Sequence, residues 1–206
     1  MGRRADGVEK GSFIHAARRK QLVAAAIEVI AEVGLARAST VRIAQHAGVS
    51  RGVLTYHFRD RADLVEHVVQ AVYDLGAEML VPRMARTSTP RESLLAFIAG
   101  SVEFYAAHST AMAALTEIYA DARAADGVSR ADHQRHGQEM SDIADVLRAG
   151  QALGQFRDFD VDVMCSTLRG ALDRALAHVS GGGSVEPYAT ELLAIFDAAT
   201  TIGEQT

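Results

Sequence analysis

The chain holds a single cysteine, Cys165, among its 206 residues. One cysteine excludes an intramolecular disulfide. Its apolar helical surroundings mark it as a small buried hydrophobe rather than a reactive thiol. Tryptophan is absent and aromatics make up only 6% of the chain. Three prolines and 17 glycines are too few for a collagen-like or disordered polypeptide. No uncharged apolar run approaches the ~20 residues that a bilayer span requires. Residues 1–12 are polar and glycine-containing with no apolar run behind them, unlike a secretory leader. A soluble cytoplasmic protein with no membrane partner is expected. No nucleophile-elbow, Walker, dinucleotide-binding or zinc-protease pattern occurs, and no spacing of Ser, His and Asp argues for catalysis. Neither an enzyme nor a cofactor is expected.

What the chain does have is helix-forming apolar residues and an uneven charge. Hydrophobic residues make up 49%, ample for a buried core. Ala, Leu, Arg and Glu dominate and favour helix. The net charge of −5 hides a partition. Residues 1–63 carry 11 Lys/Arg and 6 Asp/Glu, net +5, whereas residues 64–206 carry 10 and 20, net −10. A basic front on an acidic body is the footprint of a polyanion-binding head. Read alone, it is equally the signature of solvated helix surface.

Periodicity predicts an all-α protein with three parts: an arm over 1–12, a helical head over 13–60, and a larger helical body over 61–206. Leu22, Val23, Ala26, Ile27, Ile30 and Val33 recur at helical spacing in a first helix, Arg18 to Val33. Arg3 and Arg4 in the arm are open to two readings, a minor-groove contact or an unstructured tail. Asp60 and Asp63 bracket the start of a fourth helix in a pattern close to a capping box. Pro82 to Thr89 reads as a loop. Thr89, Pro90 and Glu92 then open a fifth helix as N-cap, N1 proline and N3 glutamate, running to Ala107. Ser109 opens a sixth, toward Ala125. A seventh spans about Ser129 to Ala152, Asp160 opens an eighth to Val179, and Pro187 opens a ninth that ends near Thr200. Residues 180–184 form a glycine loop.

Residues 40–61 carry the most information. Thr40 is placed to cap a short helix whose inner face is Ile43, Ala44 and Ala47. Gly48 stands where that helix must stop in a turn favouring positive φ. Ser50 is placed to cap the next helix, which presents Arg51, Thr55, Tyr56 and His57. Gly52 lets backbone approach backbone. Such a helix pair sets its second member into the major groove. Arg51 reaches a guanine edge or a phosphate, and Val53 a thymine methyl. Thr40, Ser50 and Arg61 lie at helix N-termini, which favour phosphate; Arg42 is a further candidate. Leu54 and Phe58 read as core. His57 reads either as a DNA contact or as a packed edge of the core.

The run Thr40, Ile43, Ala44, Ala47, Gly48, Val49, Ser50, Gly52, Leu54, His57, Phe58 and Leu64 resembles the TetR family of one-component bacterial transcription regulators. Gly34, closing the first helix, fits as well. Thr55 stands where the family has Tyr, and Arg61 where it has Lys. The step Phe58-Arg59-Asp60 is similar to the branch containing the betaine-synthesis, BetI-like, repressors. The stretch from Leu147 to Asp160 is also familiar from that family. The resemblance implies phosphate or base contacts at most of the positions named above. It also implies that residues 13–60 are a helix-turn-helix DNA-binding domain and residues 61–206 a helical effector-binding and dimerisation domain, with the dimer formed by the last two helices.

In the body, His133 and His136 lie three apart on one helix with Asp132 and Glu139 nearby. A solvated polar face explains them better than a metal. Phe97, Phe104, Tyr105, Met112, Leu115 and Tyr119 are bulky residues on the fifth and sixth helices. With Glu117 or Asp173 as polar partners they would line an effector pocket, and such a lining suits a cationic ligand. The competing reading is ordinary core. Thr167, Leu168, Ala171, Leu172 and Ala175 on the eighth helix, with Leu192 and Phe196 on the ninth, read as a dimer surface.

The function expected is that of a homodimeric repressor, nucleoid-associated when bound to double-stranded DNA. A small-molecule effector would release it from a palindromic operator, with the fourth helix as the lever. The alternatives are an activator, an effector-independent DNA-binding protein, and a helical enzyme or carrier.

Overall fold

The computed structural model describes the backbone of residues 3–126 and 130–202, and side chains over 14–121 and 140–202. The described residues form α1 (Arg3–Val33), a 3-10 turn (Leu35–Arg37), α2 (Thr40–His46), α3 (Arg51–His57), α4 (Arg61–Met84), α5 (Pro90–Ala107), α6 (Ser109–Asp126), α7 (Arg130–Ala152), α8 (Val161–Ser180) and α9 (Val185–Thr200). Among them the one extended pairing is an isolated bridge between Phe156 and Thr201. The fold is all-α, with an N-terminal helix-turn-helix domain and a helical C-terminal domain.

Several helix ends follow the expected chemistry. Thr89 accepts from the N–H of Glu92 at 3.1 Å, and Glu92 accepts from that of Ser88 at 2.7 Å. Asp160 caps α8 by accepting from the N–H of Val163 at 3.0 Å. Asp60 accepts from the N–H of Asp63 at 2.8 Å, while Asp63 accepts from that of Arg59 at 2.9 Å. Each exchange satisfies donors that a helix start leaves without a partner.

Other ends differ from expectation. α1 begins at Arg3, so residues 3–12, read as an arm, continue the helix. They contain no proline, and Arg, Ala, Glu and Lys outweigh their two glycines. α4 runs through Pro82 to Met84, where a loop was expected. Proline removes one hydrogen bond there, in the last turn only, and the covered Leu80 beside it anchors the helix end. α9 starts at Val185, two residues before Pro187. Proline is tolerated in a first turn because the N–H it lacks has no partner within the helix. Ser129 and the side chains of Asp132, His133, His136 and Glu139 lie outside the described residues.

The chain forms two compact units. One comprises Met1–Tyr73 with Thr110–Gly127, the other Asp74–Ser109 with Val128–Thr206. In the first, α1 packs on α2 and on the 3-10 turn, and α2 packs on α3. Leu22, Ala26, Ile30, Ile43, Leu54, Phe58 and Leu64 form its core. In the second, α5 is the central element and packs against α7, α8 and α9. It is covered on most sides: Leu94, Phe97, Ile98, Ser101, Val102, Phe104 and Tyr105 are all buried. The buried Ser101 hydroxyl donates to the Phe97 carbonyl at 2.8 Å, so that hydroxyl keeps a partner.

That central position of α5 corrects the residues expected at a dimer surface. Leu168, Leu172, Ala175, Leu192 and Phe196 are buried inside their own chain. They recur at helical spacing because they pack within the subunit, and a stripe already covered offers a partner nothing. Thr167 is exposed and Ala171 half-buried. The large apolar residues that these two helices expose are Val163 and Ile195, 62% and 57% exposed.

Candidate nucleic-acid interface

The helix-turn-helix is built by two serines and a glycine. Ser39, not Thr40, caps α2: its backbone is extended and its hydroxyl accepts from the N–H of Arg42 at 3.2 Å. Thr40 is the first helical residue and is half-buried. Gly48 follows α2 with φ +67, in the left-handed region where other residues are strained. Ser50 then caps α3, accepting from the N–H of Val53 at 3.4 Å. Ile43 and Ala44 of α2 and Leu54 of α3 point inward and are buried, which turns the opposite face of α3 to solvent.

That outer face carries Arg51, Gly52, Thr55 and Tyr56, all exposed, with Val53 and His57 half-buried. Tyr56 is 74% exposed, an unusual place for a phenol unless something covers it. Arg42 projects from the first turn of α2. Beside it Val41, which sequence reasoning passed over, is 44% exposed. The Thr55 hydroxyl donates to the carbonyls of Arg51 and Gly52 at 3.2 and 3.1 Å. Ser50 keeps its oxygen for its cap. Arg61 donates through Nη2 to the Leu35 carbonyl, which spends one of its five N–H groups on the fold and leaves four.

His57 packs its ring against His15 of α1 at 4.3 Å between centroids, and Tyr56 lies edge-on to both, 5.7 Å from His15 and 5.2 Å from His57. Burial of the ring first, and then the charges of His15, Arg19 and Arg18, hold His57 below the usual histidine pKa. His57 is thus packed at the edge of the core, the second of the two readings offered by the sequence. His15 was not foreseen, because a histidine on a helix surface gives no signal until its partners are known.

Elsewhere the expected pocket residues divide between the two units. Phe97, Phe104 and Tyr105 are buried in the second unit. There the Phe104 ring lies against Gly76, and the Tyr105 hydroxyl accepts from Arg169 Nη2 at 3.2 Å. Asp173 is exposed and accepts from the same arginine at 2.7 Å. Met112, Leu115 and Tyr119 are buried in the first unit, where the Tyr119 hydroxyl lies 3.0 Å from that of Tyr73. Glu117 is exposed and lines a cleft of about 390 Å³ with Glu32, Arg37, Asp121 and the Gly34 turn. Among the described residues no group of three or more His, Cys, Asp or Glu could hold a metal, and no helix is long and apolar enough to cross a membrane.

Residues 22–68, which span α1 to α4 of this head, match the family profile described as "Bacterial regulatory proteins, tetR family". Over 96 residues the chain is 38% identical to HTH-type transcriptional regulator BetI 1 of Chromohalobacter salexigens, covering 46% of this chain and 48% of that one. It spans about half the length of several curated relatives that it matches. The match to HTH-type transcriptional regulator BetI of Ectopseudomonas mendocina is longer: 32% identity over 164 residues, 75% of this chain and 82% of that one. Among solved structures, the ketosteroid transcriptional regulator KstR2 of Mycobacterium tuberculosis superposes with a TM-score of 0.68 at 26% identity, covering 90% of this chain and 96% of that one. Fold and capped helix pair together define a helix-turn-helix protein, and the relatives that it matches bear the names of transcriptional regulators. The chain belongs to the TetR family, in its BetI-like branch.

Proposed function

We propose that the protein is a homodimeric repressor that a small-molecule effector releases from a palindromic operator. The observation that carries this reading is the capped pair α2 and α3, whose outer face leaves Arg42, Arg51 and Tyr56 exposed. Arg51, with Val53 and Tyr56, is the base-reading set. Arg42 and Arg61, with the N-terminal backbone of α2 and α3 around Thr40 and Ser50, hold phosphates. Gly52 lets the helix approach the groove closely, since a Cβ there would meet nothing nearer than Ser50 Oγ at 3.7 Å. Thr55 and His57 flank the contact.

A dimer would use the outward face of α8 and α9, with Val163, Thr167, Ala171 and Ile195. Two α3 helices would then read two half-sites. Effector binding to one dimer geometry more tightly than another shifts the population away from the DNA-competent one. α4 contributes residues to both compact units, which supports its role as the lever. α6 is a second route, because most of it clusters with the head.

The test is fluorescence anisotropy of the purified protein with the DNA upstream of its own gene and with a scrambled duplex, over a salt series. Nanomolar, salt-dependent preference for the native DNA, at two subunits per palindrome, supports the proposal. Equal weak binding to both duplexes refutes that operator, and selection from random DNA then decides whether the head reads sequence at all. An effector screen for release follows. An effector that binds without changing operator affinity would leave an effector-independent regulator.

A further inference from the structure

One side chain, Arg19 of α1, holds the end of the recognition helix from behind. Its guanidinium lies over the ring of Phe58, 5.1 Å from the centroid. Its Nη2 is 2.7 Å from Nε2 of His67 on α4. Its Nε is shut off from water with no acceptor, so the group depends on these two contacts. Arginine donates and never accepts, and it stays charged at any working pH. Nε2 of His67 must therefore be the acceptor. The other ring nitrogen, Nδ1, lies 2.7 Å from the backbone oxygen of Asp63, which only accepts, so Nδ1 carries the hydrogen. The two partners fix one state of the ring: neutral, with its proton on Nδ1. A second proton could go only to Nε2, where it would meet the Arg19 N–H head-on.

Among the described residues, two charged groups lie against the ring. Arg19 comes from α1, and the Asp63 carboxylate comes from α4 itself, with Oδ1 3.5 Å from Nδ1. Arg59, in the loop before α4, holds that carboxylate in turn through its backbone N–H and Nη2. The Phe58 ring flanks the imidazole, 5.5 Å away and at 70° to it. A protonated His67 keeps Asp63 and loses Arg19.

We propose that Arg19 is a positioning residue for the recognition helix, and that His67 makes its grip sensitive to protons, holding at neutral pH and releasing on acidification. Released, Arg19 leaves Phe58, which ends α3 directly after Tyr56 and His57. The exposed face of α3 then loses its fixed angle to α1. The head loses no positive charge, so general attraction to DNA persists while discrimination between sequences falls. This rests on the reading of α3 as the DNA-reading helix.

The test has two arms, both on the full-length protein. The first is imidazole nitrogen NMR without DNA, near pH 8. The expected spectrum shows His67 neutral with its hydrogen on Nδ1, and R19M disturbs that signal. The second compares affinity for a duplex selected from a random pool with affinity for its scrambled version, at about pH 8 and about pH 5.5. For the wild type this ratio is expected to fall about tenfold on acidification, the worth of one charge-assisted hydrogen bond. For H67Q, whose amide accepts from Arg19 and donates to the Asp63 carbonyl at either pH, it should hold. R19M should start low and stay low. A hydrogen on Nε2 of His67, or the same pH profile in wild type and H67Q, overturns the proposal. The NMR arm needs no DNA. If no duplex is selected at all, the functional reading fails and the ring's protonation state still decides the latch.

Discussion

Glu117 of α6 lies so close to Gly34 that a Cβ on residue 34 would stand 2.9 Å from its carboxylate Oε2. Gly34 also has φ +79. The backbone angle demands glycine at this position, whereas the carboxylate is the far end of an exposed side chain and can move aside. G34A is expected to lower stability by about 1–3 kcal/mol in urea unfolding. Adding E117A should recover the steric part and leave the backbone part. Full recovery would show that the left-handed angle costs nothing here.

Ser39 and Thr40 are adjacent hydroxyls with unequal roles. S39A removes the cap of α2 and should cost about 1 kcal/mol, while T40A should cost clearly less. Equal losses in denaturant titrations would mean that Thr40 takes over when Ser39 is gone.

Leu172 and Val163 lie on opposite sides of α8. L172A should cost about 2–5 kcal/mol, because it hollows out the packing beneath α5. V163A should cost little, since its side chain is already in water in the single chain. V163D is the complementary test. If the outer face joins two subunits, sedimentation equilibrium will show a weakened dimer with an unchanged helical spectrum.

Asp63 gives a pH signature. The Arg59 backbone N–H holds its carboxyl below the usual carboxylate pKa, against the opposing effect of burial, with the Arg59 side chain adding to the lowering. A lowered folded-state pKa gives stability that is present above the ordinary value and lost as pH falls through the lowered one. The melting difference between wild type and D63N should therefore be largest near neutrality and shrink below about pH 4. A difference independent of pH would assign the effect to the shape of the side chain rather than its charge.

Arg51 and Arg61 should separate in binding. R51A should weaken operator binding more than scrambled-duplex binding, by about 1–3 kcal/mol if it reads a guanine edge. R61A should weaken both and lower the salt slope by about one unit. If R61A lowers the melting temperature and leaves the slope unchanged, its bond to the Leu35 carbonyl is its whole role.

The head was legible because its chemistry is local. Gly48 and Ser50 each act within a few residues, and their spacing alone implies a turn between two short helices. The choice between Ser39 and Thr40 was not legible, because either hydroxyl suits a cap and one residue of register decides. Periodicity showed which side of α8 and α9 is covered, but not by what. Leu168, Leu172 and Phe196 looked like a surface for a partner because the central place of α5 is a non-local fact. His15, Arg19 and His67 carried no signal for the same reason: each is an ordinary helix residue until α1, α3 and α4 meet. The two carboxylates at the start of α4 were read correctly, since a cap depends on three or four consecutive residues.

Cys165 is 8% exposed, and burial pushes its thiol pKa up. A fluorophore or spin label chemically directed at thiols will therefore bypass the native cysteine. One cysteine introduced at the exposed Thr55 of α3 would take the label alone, on an otherwise unaltered background. Distances between two such labels would read out the separation of paired recognition helices in solution, with and without DNA.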